Sequence, residues 1–330
     1  MKKVRLFFLL LGLCLLIVVI KQVGLDLILL QLRQFAWFFL LSILAYGLVY
    51  WIDSWAWKFA FRKSLNKHQS IASLASIRIA GDAVTNTAPF GQLGGEPVKA
   101  YLLKQKGITL DFAIASQVVD KTTLVISQIM YVLLGLVILA LGWDIARPFQ
   151  LILLFLFVCG SILVILFLYF QQKGIFSFIA RFLMRFALTR RYIEPKLVKI
   201  QHLDQHVALY YKEQKKDFFL ALSLYFCGWL VGVFEVYIIL VGLDIKGGLA
   251  FAIVIDSIHQ LVRSFSFMIP YGLGAQEGAN VLVFSGFGLN AAFGVSLTLI
   301  RRIRELAWAI VGYVLIALYH VPLKKELISE

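Results

Sequence analysis

The sequence predicts an all-α integral membrane protein. We read about six full transmembrane helices plus two re-entrant, broken-helix hairpins, six to eight spans in all, in an inverted-repeat architecture. Two observations from composition and one from spacing carry this. Hydrophobic residues make up 61% of the 330 residues and charged residues only 15%, which does not suit a soluble globule. The apolar residues cluster in runs of about 20, the length that a bilayer core of roughly 30 Å requires. Two stretches, Pro89-Phe90-Gly91-Gln92-Leu93-Gly94-Gly95-Glu96 and Pro270-Tyr271-Gly272-Leu273-Gly274-Ala275-Gln276-Glu277, run from proline to glutamate over the same distance. Each leads, at one common interval, to a charged pair inside an apolar segment: Asp120-Lys121 and Arg301-Arg302. Paired helix breaks of this kind point to a transport site at a repeat interface.

Span 1 is expected at about 4–20. Lys2, Lys3 and Arg5 precede it as in a signal peptide, but Ile20-Lys21-Gln22-Val23-Gly24 offers no small-x-small cleavage site, so it reads as uncleaved. Span 2 covers about 35–57, with Tyr46, Tyr50, Trp51, Trp55 and Trp57 suited to the interface belt. The segment 71–106 carries Asp82, Thr85, Asn86 and Thr87 before its proline–glycine turn and has bases on both flanks. It reads as a re-entrant hairpin, tolerated at depth only where protein or a wet cavity surrounds it. Span 3 (about 112–141) holds Asp120 and Lys121, and span 4 covers about 149–170.

The basic insert 171–217 follows. Its stretch 175–188 reads as an interfacial helix with its bases toward headgroups. Leu197, Ile200, Leu203, Val207 and Tyr210 then recur at helical spacing and predict an amphipathic helix. Span 5 covers about 218–243. The second broken segment, 247–286, has Asp256, His259 and Arg263 ahead of its break, although 250–269 is long enough to cross fully. Span 6 (about 290–319) contains Arg301, Arg302, Arg304 and Glu305.

Counting bases puts the N-terminus, 58–78, 99–106, 171–217 and the C-terminus, with Lys324 and Lys325, in the cytoplasm. The poorer loops 21–34, 142–148 and 244–248 face out. The chain thus reads as a single membrane domain, 1–330, of two units with opposite topology: about 1–142 and about 149–330. The net charge of +14 suits anionic headgroups at the cytoplasmic loops. No basic module stands apart from the spans, which argues against nucleic acid.

Charges at mid-bilayer cost at least about 2.5–3.5 kcal/mol and are either functional or mutually paired. Glu96, Glu277, Asp120, Lys121, Arg301, Arg302, Arg304 and Glu305 are therefore the candidates, joined by Asp82, Asn86 and Arg263 near the breaks. The bland alternative is bracing, for instance Glu96 with an arginine of span 6. Arg301 and Arg304 share a helix face, with Glu305 four residues after Arg301; this suits an internal pair or a clamp on phosphate. His202-x-Asp204-x-His206 has metal-compatible spacing but reads as a solvated helix face. Cys14, Cys159 and Cys227 are scattered singly and read as small core residues. With no GxSxG, HExxH, P-loop or Rossmann motif, no catalytic residue, metal or cofactor is expected.

The run Asn86-Thr87-Ala88-Pro89-x-Gly91-x-x-Gly94-Gly95-Glu96-Pro97 resembles the lysylphosphatidylglycerol synthase transmembrane-region family, flippase-like integral membrane proteins. Pro270-x-Gly272-x-Gly274-x-x-Glu277-Gly278 and the arginine-rich last span resemble its second hallmark. By position, Pro89, Gly91, Gly94, Gly95, Glu96, Pro270, Gly272 and Glu277 are the family-motif residues. Bifunctional members add a soluble C-terminal aminoacyltransferase domain. This sequence ends soon after span 6, so lysyltransferase activity is not expected. The resemblance implies binding or movement of an anionic, aminoacylated, glycosylated or polyprenyl-linked lipid across a bacterial inner membrane. A membrane enzyme modifying a lipid headgroup, and a non-catalytic scaffold in envelope biosynthesis, remain as alternatives.

Overall fold

The computed structural model describes residues 38–61, 70–87, 94–142, 147–265 and 274–319, with isolated positions between 26 and 35. Span 1, the motif residues Pro89, Gly91, Pro270 and Gly272, and the terminal Lys324 and Lys325 lie outside the described residues. The described residues are helical, without a strand. In chain order the helices are α1 (Phe39–Lys58), α2 (Ile71–Thr87), α3 (Glu96–Gln105), α4 (Leu110–Gly142), α5 (Arg147–Gln172), α6 (Ile175–Leu183), α7 (Ala187–Ile193), α8 (Leu197–Glu213), α9 (Lys215–Gly242), α10 (Gly248–Phe265), α11 (Ala275–Gly286) and α12 (Ala291–Leu318).

Local chemistry explains the boundaries. α3 starts with Glu96 in its first turn and Pro97 just inside, where a carboxylate faces the positive helix end and a missing N–H costs nothing. Gly107, at φ 85°, turns the chain out of α3, a conformation a side chain would strain. At α11 the carboxylate of Glu277 reaches back to accept from the Gly274 N–H at 2.8 Å, the acidic half of a capping box. Asn290 caps α12 by accepting from the Ala292 N–H at 2.9 Å.

α1, α4 and α9 are each long and apolar enough to cross a bilayer, and α5 with α6 passes the same test across an 82° bend. Against the expected six to eight spans, the described residues hold three such helices, or four with the bent pair. At 1.5 Å per residue the 33 residues of α4 extend about 50 Å. Leu40, Leu44 and Leu48 of α1, Phe155 and Ile165 of α5, and Phe219 and Phe234 of α9 lie exposed, a pattern natural for lipid-facing surface. Each of the two segments expected to be broken holds two described helices: α2 and α3, and α10 and α11.

Packing crosses the two halves of the chain. α1 lies along α9, α2 along α12, and α4 against both α9 and α10. One core gathers Trp57, Leu74, Ile77, Leu102, Ile126 and Val207; a second gathers Tyr131, Val236, Ile239, Ile255, Phe284 and Leu297. Small residues make the crossings close, as membrane helices without a hydrophobic driving force require. A Cβ on Gly312 of α12 would sit 2.5 Å from both the Ile79 carbonyl oxygen and the Ala83 Cβ of α2.

The insert departs from expectation twice. The helix expected over 175–188 divides into α6 and α7 because Phe186 is extended (φ −96°, ψ 126°). The Thr189 hydroxyl donates to the freed carbonyls of Leu183 and Phe186, a local alternative to the helical ladder. Nor is Asp204 on a solvated face. It is buried and accepts from the Phe176 N–H at 3.2 Å and the Ser177 N–H at 2.6 Å. It thereby caps the N-terminus of α6 from α8, where a carboxylate suits the unpaired donors and the dipole.

Gly312→Ala should lower thermal stability in detergent by roughly 1–3 kcal/mol through overpacking of the α2–α12 seam. Gly232→Ala on α9, where an added Cβ meets nothing within 4 Å, should be neutral or slightly stabilising. Equal melting temperatures for the two variants would contradict the close crossing.

Candidate functional site

The first break folds α3 back onto α2. Thr85 Oγ1 accepts from the Gly95 N–H at 3.1 Å, and the stem of Lys99 lies over Gly81 with no room for a Cβ between them. This brings Lys99 Nζ to 2.8 Å from Asp82 Oδ1 and 3.6 Å from Glu96 Oε1. From α4, Lys121 Nζ stands 3.3 Å from the same Glu96 oxygen. With its amide oriented so that the nitrogen faces acceptors, Gln117 donates to the Glu96 carbonyl at 2.9 Å and to Oε2 at 2.7 Å. Asn86, in the last turn of α2, and Gly94 are half-buried beside this cluster, and Gly95 is buried.

One layer further in, Arg78 of α2 donates to Asp120 Oδ1 at 2.9 Å and Oδ2 at 3.0 Å, and to the Asp53 carbonyl at 3.1 Å. It also donates to the Tyr225 hydroxyl at 2.6 Å, and that hydroxyl in turn donates to Asp120. The Arg78 guanidinium lies 5.3 Å from the Trp57 ring centroid and 5.7 Å from that of Tyr225, so aromatic faces stand where water would otherwise be.

The second break has an equivalent arrangement. Arg302 Nε is 2.6 Å from Glu277 Oε1, repeating the Glu96–Lys121 pairing at the same 25-residue separation. Inward, Arg301 pairs with Asp256 of α10 and lies 3.7 Å from Glu235 of α9. Arg304 pairs with Glu235, which also accepts from Ser42 of α1 at 2.8 Å. Tyr131 of α4 donates to Asp256 at 2.8 Å, and the Tyr46 ring of α1 stacks under Arg304 at 3.6 Å. Arg263 reaches Glu305 at 3.2 Å, with Arg304 at 3.6 Å from the same oxygen.

Two sequence expectations are thereby replaced. Glu96 is braced by lysines of α3 and α4 rather than by an arginine of α12. Arg301 and Glu305 do not pair with each other, because acids from α9 and α10 claim Arg301 while Arg263 reaches Glu305. Sequence reasoning also passed over Arg78, Asp53, Glu235, Gln117, Tyr131, Tyr211 and Tyr225, and it gave Tyr46 and Tyr50 to the interface belt, whereas Tyr46 packs on Arg304 and Tyr50 is buried. Glu235 was within reach, being the only charge in the apolar run from Phe218 to Leu243 and subject to the rule that marked Asp120. Arg78 and the tyrosines acquire meaning only when the helices cross.

A cavity of about 1040 Å³ opens between α3, α4, α5 and α6, lined by Glu96, Gln117, Lys121, Ile114, Val118 and Phe167 among others. Thr122 on its wall is held by a relay: the Tyr211 hydroxyl donates to Gln171 at 3.1 Å, and the Gln171 amide donates to Thr122 at 2.8 Å. Burial pushes the phenols of Tyr210 and Tyr211 up, so both stay neutral. The two glutamate pairs differ in access. Side-chain exposure is 21% for Glu96 and 37% for Lys121, against 0% for Glu277 and 12% for Arg302.

Removing one member of a buried pair strands the other's charge at a cost of about 3–5 kcal/mol. Asp120→Asn should therefore destabilise the protein by that order, whereas Arg78→Met combined with Asp120→Leu should cost less than either change alone. A double-mutant cycle on unfolding in detergent checks this; additive losses would show that the two side chains are not coupled.

No solved structure matches this chain. It is 23% identical over 236 residues to a UPF0104 membrane protein of Methanothermobacter thermautotrophicus, covering 68% of each chain. The family model for the lysylphosphatidylglycerol synthase TM region matches residues 5–312. With paired breaks, an arginine-rich last helix and that near-complete match, the chain belongs to the lysylphosphatidylglycerol synthase TM region family.

Proposed function

We propose that this protein is a lipid translocase. It would move an anionic or modified lipid across a bacterial inner membrane, with both termini in the cytoplasm. The observation that carries the reading is the inequality of two equivalent pairs: Glu96–Lys121 borders a cavity, while Glu277–Arg302 is sealed. In a carrier built from inverted repeats, one half opens to its side of the membrane while the other is shut. The unequal exposure is the arrangement expected of such a state.

Further support comes from the way the halves interlock. The contacts of α2 with α12 and of α4 with α10 exchange equivalent helices between the proposed units 1–142 and 149–330. Each inner ion cluster is capped by a tyrosine of the other unit: Tyr225 on Arg78 and Asp120, Tyr46 and Tyr131 on Arg304 and Asp256. Rocking the units would exchange these tyrosine hydrogen bonds and ring contacts while each arginine keeps its carboxylate. In this mechanism the inner clusters act as rigid pivots and the two outer glutamate pairs as gates. Asp82, Asn86, Gly94, Gly95 and Gly274 shape the gates, and Arg263 and Glu305 brace α10 against α12. The chain works as a carrier and not as a transferase, and its basic insert rests on anionic headgroups.

Purified protein in liposomes should flip headgroup-labelled lipid faster than protein-free vesicles do. Glu277→Gln should slow flipping about as much as Glu96→Gln, although only Glu96 borders the cavity, because both gates act in one cycle. Rates at the protein-free level across anionic, zwitterionic and aminoacylated lipids would end the translocase reading.

A further inference from the structure

We propose that Asp53 is a proton-binding site, and that its carboxylate must take up a proton before α1 can shift along α9. The proposal rests on the translocase reading and names its coupling ion.

Asp53 projects from α1 toward α9 at the one place where a glycine makes room for it. A Cβ on Gly228 would come 2.8 Å from Asp53 Oδ1. The two helices lie along each other and belong to different proposed units, so the carboxylate stands on a surface that rocking must shear. It is half-buried, which leaves one side of it open to a proton.

The other acids around the two breaks have bases of their own. Arg78 holds Asp120, Lys99 holds Asp82, and Glu96 is shared by Lys99 and Lys121. Glu235, Asp256, Glu277 and Glu305 each meet an arginine. Among the described residues no base comes within ion-pair distance of the Asp53 carboxylate. Arg78 comes near and passes it by, donating to the main-chain carbonyl of Asp53 at 3.1 Å while its ion pair goes to Asp120.

The charges acting on Asp53 are Arg78 and Asp82 of α2, Lys99 of α3 and Asp120 of α4. These cancel, and the Tyr225 hydroxyl of α9 is held between Arg78 and Asp120. Glu235 of α9 is taken by Arg304 of α12, which faces Tyr46, two turns earlier on α1. Lys58 stands more than a turn further along α1. An ionised acid without a counter-charge is costly at such depth, and a proton added to one carboxylate oxygen removes that cost. With the proton on, the α1–α9 seam carries no unpaired charge and can slide; release on the other side resets it.

Two measurements test this. Infrared difference spectra of the purified protein between acidic and alkaline buffer should contain the carbonyl stretch of a protonated carboxylic acid. That band should be missing in Asp53→Asn and return in Asp53→Glu. Gly228→Ala, which presses on the carboxylate and leaves its charge in place, should shift the pH at which the band disappears. In liposomes, lipid flipping should rise as pH falls, by up to about tenfold per pH unit, the limit for one titrating proton. Asp53→Asn, which has the shape of the neutral acid, should flip at a rate independent of pH, and Asp53→Glu should restore the dependence. Replacing sodium with choline at constant pH should change nothing. An acid band undiminished in Asp53→Asn, an unshifted titration in Gly228→Ala, or a rate that follows sodium instead of pH would each overturn the proposal. Because the spectra need no transport, an Asp53 band in a protein that flips no lipid sinks the translocase reading alone. Flipping whose pH dependence survives Asp53→Asn sinks the proton site alone.

Discussion

A charge carried into a bilayer must find its opposite, and in this protein that requirement ties one helix to the next. Arg78, Asp120, Glu235, Asp256, Glu277, Arg301 and Arg304 are all nearly or fully buried, and each meets a partner from a different helix. Lipid tails are as apolar as leucine, so burial of oily side chains does little to select which helix packs on which. Ion pairs, tyrosine hydroxyls and small residues at the crossings supply that selection. Such pairs contribute modest net stability, since desolvation offsets much of the attraction, but a mismatched seam strands a charge. The network therefore specifies the arrangement more than it strengthens it.

The same network accounts for how the fold could move without coming apart. Arginine–carboxylate contacts lie inside the proposed units, whereas many links between units join a charge to a neutral tyrosine: the Tyr131 hydroxyl on Asp256, the Tyr225 hydroxyl on Arg78 and Asp120, and the Tyr46 ring on Arg304. Ser42 on Glu235 belongs to the same class. A hydrogen bond from a neutral hydroxyl to a charged group is worth about 1.5–3 kcal/mol, below the roughly 3–5 kcal/mol of breaking a buried ion pair. In the proposed mechanism motion would be directed to the outer glutamate pairs, of which one is exposed and its counterpart is not.

Much of this was legible in the sequence because membrane segments write their length, polarity and breaks plainly. The helix at Ala291–Leu318 and the helices flanking each proline–glycine stretch stand almost where the apolar runs put them. The matched intervals from Glu96 to Lys121 and from Glu277 to Arg302 correspond to real contacts. What the sequence withheld was partnership. Arg301 and Glu305 stand one helical turn apart, yet acids on α9 and α10 outcompete the local pair for Arg301. Asp204 sits between two histidines in a polar stretch, but its role is fixed by the start of α6, 28 residues earlier. Local spacing reports which residues share a face; it does not report what that face meets.

The claim that two equivalent gates open in turn is tested most directly by accessibility at their entrances. Gly94→Cys and Ala275→Cys, placed singly in a chain whose Cys14, Cys159 and Cys227 are replaced by serine, would be probed from each side of oriented vesicles with a membrane-impermeant thiol reagent. Alternation requires Gly94→Cys to react from one side and Ala275→Cys from the other, with a transported lipid raising one rate as it lowers the other. Labelling of both positions from the same side, or rates that rise together, would contradict alternating access.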